Sequence, residues 1–322
     1  MKNKIKEFIE KHREIFGDGN ILIEKLPWGA WNFNYKVTIN DKHYVFKIYS
    51  RLRRYGYFTN KSEREYKALR FVENLRIAPR VIIFDNSKEI FKRDVLVYEY
   101  IEGSSLKKET DDIKKTAEIL AKLHSMETDK IDFLEKNENS LKEQFEEIIN
   151  EFKSYKRKRN KNIELLPELE RFIKSLELIK AELTFKPRIV HADLVPNNII
   201  KKEEVKLIDW QGTHVGDPAF DCWAFTSDIF NWWDWKDTLT GKQKEIFWKR
   251  YLELTEDKDI KKRIEIKEPF YYMKILLYSL NKRSDYKADR LPEEITKGRE
   301  HHLEKYYKII ELCFDNLRKL IK

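Results

Sequence analysis

Between Ile189 and Gly212 the chain reads IVHADLVPNNIIKKEEVKLIDWQG, placing His191, Asp193, Asn198 and Asp209 around two apolar runs. A solvated turn has no need of acids and amides at both ends of a hairpin, whereas a metal-assisted phosphate-transfer site does. With NII and VKLI as strands joined by a two-residue loop at Glu203 and Glu204, Lys202 opposes Val205 and Ile200 opposes Leu207. Asn198 then opposes Asp209. Directly opposed residues lie about 5 Å apart, so an amide and a carboxylate would meet at the open end of the hairpin. Hard oxygens this close suit Mg²⁺, which takes one or two protein oxygens and completes its shell with substrate phosphates and water. Asp193, on the loop entering the hairpin, is near enough to act as a base.

Lys47 is the second group whose placement asks for chemistry. It lies in YVFKIY among apolar neighbours, a costly place for a charge unless its face opens onto a site. The bland alternative is an edge strand from which Lys47 points to solvent.

The elements that must hold these groups are legible in the apolar periodicity. Residues 1–17 carry Ile5, Phe8, Ile9 and Ile15 at helical spacing, which predicts an amphipathic first helix rather than a signal peptide. ILIEKL, NYKVTI and HYVFKIY read as strands, the last two joined by the turn residues NDK. SEREYKALRFVENL sets Tyr66, Leu69, Phe71, Val72 and Leu75 on one helical face, with Ser62 and Glu65 spaced as a capping box. RVIIFD and DVLVYEYI are two further strands. From about Leu106 the pattern turns helical, with Ile113, Ala117, Leu120, Ala121 and Leu123 in register. Residues 134–184 are polar and helix-friendly. Their basic run KSYKRKRNKN reads as a solvated helix end or loop, the alternative being an anionic partner. EPFYYMKILLYSL is the most apolar stretch of the remainder. The expected architecture is α+β in two lobes: residues 1–101, an antiparallel sheet with one helix, and residues 102–322, mainly helical, with a cleft between them.

Composition bounds the setting. The chain has 322 residues, 38% of them charged, and a formal net charge of +9. A Lys-rich composition explains that charge better than a nucleic-acid partner does, without excluding one. Cys222 and Cys313 stand far apart with no CxxC spacing, which argues against a disulfide scaffold or a cysteine-ligated zinc. No apolar run reaches the roughly 18 residues of a membrane span. The expectation is a cytoplasmic protein.

The set His191-x-Asp193-x4-Asn198, then Asp209 after an apolar strand, then GDPAFD from Gly216 to Asp221, resembles the aminoglycoside phosphotransferase and choline kinase family, which has the two-lobed protein-kinase-like fold. DLVPNN is similar to bacterial choline kinases. The resemblance implies Asp193 as catalytic base, His191 as orienter of its loop, and Asn198 and Asp209 as Mg²⁺ ligands. It implies that Asp221 begins a helix and braces the catalytic loop through backbone N–H groups. It also implies that Lys47 pairs with a helix glutamate, Glu65 or its rival Glu63, and holds the α/β-phosphates of ATP or GTP. LPWGAWNFNYKV takes the place of the phosphate-covering loop, with Gly29 its one glycine and Asn32 or backbone groups at the phosphate. LVYEYIEG resembles the hinge, where backbone groups of Glu99 and Ile101 would hold the purine and Tyr98 would gate the inner pocket. Ala192 in place of arginine, and Trp210-Gln211 in place of Phe-Gly, point to a small-molecule kinase rather than a protein kinase.

The acceptor is sought in SDIFNWWDW. Trp232 and Trp233, with Asp228 and Asp234, could cradle a cationic amine such as choline or an aminoglycoside, or the tryptophans could simply pack helices together. Consecutive aromatics diverge on a helix, so at most two of Trp232, Trp233 and Trp235 face one ligand. The expected activity is transfer of a nucleotide γ-phosphate to the hydroxyl of a small acceptor. The alternatives are a nucleotide-binding pseudokinase or RNA-associated scaffold, and an atypical protein kinase.

Overall fold

The computed structural model describes residues 1–26, 32–50, 61–137, 140–287 and 301–321. Gly29 and its immediate neighbours in the expected phosphate-covering loop lie outside the described residues. The chain divides into two compact units. The first comprises Met1–Leu106, Ile131–Leu134 and Asn198–Thr213; the second comprises Lys107–Lys130, Glu135–Asn197 and His214–Lys322.

The first unit is built on an antiparallel sheet of β1 (Ile21–Lys25), β2 (Phe33–Ile39), β3 (Lys42–Ile48), β4 (Val81–Asp85) and β5 (Val95–Glu99), in the order β1-β2-β3-β5-β4. β2 and β3 form a two-residue hairpin in which Asn40 takes the left-handed conformation that asparagine tolerates. β3 is central, so Lys47 is not on an edge: it pairs with Asn34 of β2 and Leu96 of β5. Side chains alternate along a strand, and both faces of β3 are covered. Phe46 points to α1 (Lys2–Lys11) and meets Phe8 ring to ring at 5.8 Å. Lys47, on the opposite face, meets α3 (Lys61–Val72).

Two sequence expectations change here. The first helix stops at Lys11, and a one-turn helix α2 (Arg13–Phe16) follows. The break turns Ile15 outward to 41% exposure and brings Phe16 into the core instead, against Tyr44 and Phe46. The capping box at α3 does not form. Ser62 lies inside the helix and donates to Asp94 Oδ2 at 2.6 Å, while Glu65 is taken by Lys47. Tertiary partners outcompete a local cap whose net contribution is only about 1 kcal/mol.

A small sheet in the first unit joins β6 (Ser104–Ser105), β8 (Ile199–Lys201) and β9 (Val205–Leu207). Its register is Ile199 with Leu207, Ile200 with Lys206 and Lys201 with Val205. The loop is therefore three residues long, with the Lys202 N–H bonded to the Glu204 carbonyl at 3.2 Å. The pairing is one residue away from that expected. Asn198 stands opposite Ile208, whose N–H donates to its carbonyl at 2.9 Å, rather than opposite Asp209.

The second unit holds a two-stranded sheet of β7 (Arg188–Val190) and β10 (His214–Gly216), with His214 opposite Val190. Around it are α4 (Thr110–His124), α5 (Leu141–Arg157), α6 (Leu166–Leu178), α7 (Ala219–Thr226), α8 (Asp228–Trp235), α9 (Gly241–Leu254), α10 (Ile260–Lys287) and α11 (His301–Leu320). The apolar stripe expected on α4 is buried throughout. The basic run is less solvated than its composition suggests. Lys158 is buried and donates to the equally buried Asp285 at 2.6 Å, while Lys156 pairs at the surface with Glu170. Among the described residues no helix is long and apolar enough to cross a membrane.

Candidate active site

Lys47 is the centre of a buried charge cluster. Its Nζ lies 2.8 Å from Glu65 Oε1 and 2.7 Å from Asp209 Oδ1. Tyr49, just past the end of β3 and two residues from Lys47, donates its hydroxyl to Glu65 Oε2 at 2.6 Å. Lys47 and Glu65 are 2% and 1% exposed, and Asp209 keeps 26%. Burial alone would lower the Lys47 ammonium, but Asp209 and then Glu65 reverse this and hold it above the ordinary lysine range. Burial pushes the Glu65 carboxyl up, and Lys47 restrains it. The result is a fixed positive charge with one carboxylate behind it and one at its more open side. Glu63, the rival partner, is spent on an exposed pair with Lys67 at 2.8 Å.

Asp209 reaches Lys47 because the strand alternation stops there. Its φ of 65° and ψ of 60° are left-handed, and a one-turn helix, Trp210–Gly212, follows. That turn is pinned from three sides. Trp210 Nε1 donates to the Leu207 carbonyl at 2.8 Å, and Arg64 of α3 donates through Nε and Nη2 to the Gln211 carbonyl at 3.1 and 2.6 Å. Asn32 Nδ2 donates to Gln211 Oε1 at 3.2 Å, while its own Oδ1 accepts from the Ser50 N–H at 3.3 Å. Both ends of the Asn32 amide are thus engaged within this unit.

Asn198 and Asp209 offer an amide and a carboxylate at the ends of adjoining strands. Among the described residues no group of three or more His, Cys, Asp or Glu could hold a metal ion. An Asn–Asp pair nevertheless fits Mg²⁺, since that ion takes few protein ligands and leaves the rest of its octahedron to phosphates and water.

In the segment LVYEYIEG the Glu99 N–H is used by the Arg80 carbonyl at 2.9 Å, and the Glu99 carboxylate lies 3.3 Å from Lys206. Ile101 follows in open chain, and Tyr98 is buried in the sheet, where burial raises its phenol.

In the second unit, the loop after β7 is held by one acid. Asp221, in the first turn of α7, accepts from the His191 N–H at 2.7 Å and the Ala192 N–H at 2.8 Å. These bonds fix Ala192 at a φ of 67°, a conformation that costs a residue with a Cβ about 1 kcal/mol or more. The Asp193 N–H then donates to His191 Nδ1 at 3.3 Å, so the buried imidazole orients the backbone that presents Asp193. Burial would raise the Asp221 carboxyl, but its bond to His124, at 3.3 Å, and the neighbouring His191 hold it below the ordinary range. His124 is itself anchored by the Tyr251 hydroxyl at 2.8 Å. Asp217 of the same GDPAFD segment is a structural anion. It is fully buried and bonded to Arg263 Nη2 at 3.0 Å and Lys267 Nζ at 2.7 Å.

The acceptor-helix residues separate. Asp228 is spent on Lys244 at 3.0 Å. Trp232 lies under Lys236, while Trp233 faces Lys305 and Tyr306, so the adjacent tryptophans diverge as helical geometry requires. Asp234 Oδ2 accepts the Asn197 N–H at 2.9 Å, which ties α8 to the loop that follows β7. Burial raises the Asp234 carboxyl, opposed by that N–H and by Lys305.

Tyr49, Arg64, His124 and Tyr251 were not singled out from sequence, and Gln211 was noted only as a departure from Phe-Gly, without its bonds to Arg64 and Asn32. Tyr49 carried a signal, its even spacing from Lys47 within the run HYVFKIY.

Comparison with known proteins places this geometry. Choline kinase from Cryptosporidium parvum aligns over 97% of this chain and 97% of its own, at 17% identity and a TM-score of 0.65. Choline kinase from Streptococcus pneumoniae aligns over 97% and 99%, at 20% identity and 0.62. A spectinomycin phosphotransferase, solved with ADP and spectinomycin, aligns over 96% and 97%, at 14% identity and 0.65. At these identities the likeness shows the protein-kinase-like fold. No curated protein sequence matches the chain. The phosphotransferase enzyme family, by contrast, matches over residues 23–260, a span that contains Lys47, Glu65, Asp193, Asn198, Asp209 and Asp221. The chain belongs to the phosphotransferase enzyme family and is a small-molecule kinase.

Proposed function

We propose that the chain transfers the γ-phosphate of ATP or GTP to a hydroxyl of a small, amine-bearing acceptor. The observation that carries this is the buried Lys47 with Glu65 on one side and Asp209 on the other. An ammonium locked by a wholly buried glutamate is a costly feature for a structural role alone, and it is what phosphate binding requires. Lys47 would take the α/β-phosphates, with Glu65 and Tyr49 fixing its direction. Asn198 and Asp209 would hold Mg²⁺, which when bound neutralises phosphate charge. Because the Glu99 N–H is already used, a purine at Glu99 would meet its carbonyl, with Ile101 supplying the next backbone group. Asn32 would support the phosphate loop through Gln211 rather than touch phosphate, unless it gave up its present bonds.

Asp193 would accept or orient the proton of the acceptor hydroxyl, on a loop that Asp221, His191 and Asp234 hold in place. Positioning and fixed electrostatics supply most of the rate in such transfers. An amine on the acceptor is favoured by the compounds named for structurally similar enzymes, choline and spectinomycin, both amines that carry hydroxyls. Anchoring of the segment after Asp209 by Arg64 and Asn32 leaves little scope for a mobile activation segment, which favours a small acceptor over a protein.

The test is Mg²⁺-dependent consumption of ATP and GTP against a panel of amino alcohols, aminoglycosides, sugars and nucleosides. Turnover with a hydroxyl-bearing amine is the expected result. Consumption only with protein serine or threonine, or silence together with salt-sensitive RNA binding, would refute the assignment.

A further inference from the structure

Trp233 and Asp234 are two of the four residues, with Trp232 and Asp228, that the sequence offered as a cradle for an amine, and a side chain of the same protein lies against both. Lys305, on α11, holds its Nζ 4.9 Å from the centroid of the Trp233 ring and 4.0 Å from Asp234 Oδ1. Tyr306, the next residue, sets its ring 5.4 Å from Trp233. The Lys305 and Asp234 side chains are 17% and 6% exposed, so little water separates the ammonium from the aromatic face and the carboxylate. These are the contacts by which proteins hold small ammonium ligands: a ring face within about 6 Å, low hydration and a nearby anion. Asp234 also takes the Asn197 N–H, on the loop that presents Asp193.

We propose that Lys305 is a tethered occupant of an ammonium site, and that it selects against acceptors whose recognition rests on one small amine. A free ammonium entering beside Trp233 must displace a group whose effective concentration, being intramolecular, is on the order of millimolar or higher. A single weak contact does not overcome that. An acceptor with several amines, or one held chiefly through its hydroxyls, does not depend on this position. The inference rests on the acceptor assignment above and narrows it, but its test reads binding alone.

Choline chloride is titrated calorimetrically into the full chain at constant ionic strength, for wild type, Lys305→Ala and Lys305→Met. Lys305→Ala vacates the place and is expected to bind choline about tenfold more tightly than wild type. Lys305→Met keeps the stem without the charge and is expected to gain less. Adding Trp233→Leu to Lys305→Ala should return the affinity to the wild-type level. Equal choline affinity in wild type and Lys305→Ala overturns the proposal, as does a gain that survives Trp233→Leu. If Lys305→Ala lowers Tm, n-butylammonium in solution should raise Tm in that variant and not in wild type. A rise common to both counts against the proposal. Nucleotide consumption plays no part in this titration, so its failure and that of the kinase assignment are separable.

Discussion

At the scale of single residues, the cluster around Lys47 is the most constrained feature of the molecule. A buried ammonium is tolerated only when its charge is met, and here two carboxylates meet it at hydrogen-bonding distance. The sequence marks Lys47 because a lysine flanked by apolar strand residues has few ways to avoid that cost, while Glu65 as its partner follows from the family resemblance. The sequence could not carry Arg64, which binds a backbone carbonyl 147 residues away and sits on a helix face that looks merely polar. Asp209 meets Lys47 through a left-handed turn rather than through opposition to Asn198, and strand alternation alone does not give that route. The metal-binding role proposed for Asp209, beside its bond to Lys47, has a measurable consequence. Asp209→Ala is expected to weaken Mg²⁺-dependent nucleotide binding about 30-fold, the equivalent of one charged contact of about 2 kcal/mol. Titration of nucleotide with and without Mg²⁺ checks this. An unchanged affinity removes Asp209 from the metal-binding role.

At the scale of elements, alternation and apolar periodicity predicted the five-stranded sheet and α4, because those patterns are local. What they missed was decided by distant partners. The break after Lys11 exchanges Ile15 for Phe16 in the core, where aromatic rings of β3 complete the packing. The hairpin register moved by one residue because Glu204 closes a three-residue loop through its carbonyl. The GDPAFD segment marks a joint between elements: Asp221 ties α7 to the loop after β7, and Asp217 ties β10 to α10. Asp217 faces Arg263 and Lys267 in a buried setting, so Asp217→Asn removes the carboxylate that meets the buried Lys267, while Arg263 keeps its pair with Asp257. The substitution is expected to destabilise the fold by about 3 kcal/mol in urea denaturation.

The same carboxylates carry a pH signature. Burial would raise Asp217, but Arg263 and Lys267 hold it below the ordinary aspartate value of 3.8, and Asp221 is also lowered. The unfolded chain therefore binds these protons first on acidification. The stability the two acids contribute is complete above 3.8 and is lost as pH falls through their lower folded values. Asp217→Asn should flatten that acid limb of the stability profile. A limb of unchanged slope would place the acid sensitivity elsewhere.

At the scale of the whole molecule, the proposed roles fall on both compact units. Lys47, Glu65, Asn198 and Asp209 belong to the first, and His191, Asp193, Asp221 and Asp234 to the second. Residues 198–213 count with the first unit although they follow much of the second in sequence. The motif at the centre of the sequence is thus divided between units, Asp193 to one and Asn198 to the other. This division makes binding and transfer separable by substitution. The most direct test measures transfer of labelled γ-phosphate to an active acceptor by wild type and Asp193→Asn, with nucleotide affinity followed in parallel. Loss of the hydroxyl-directed carboxylate should reduce transfer by about 10³-fold, within the range of general-base contributions, and leave nucleotide affinity within about twofold. Wild-type transfer by Asp193→Asn would contradict the account.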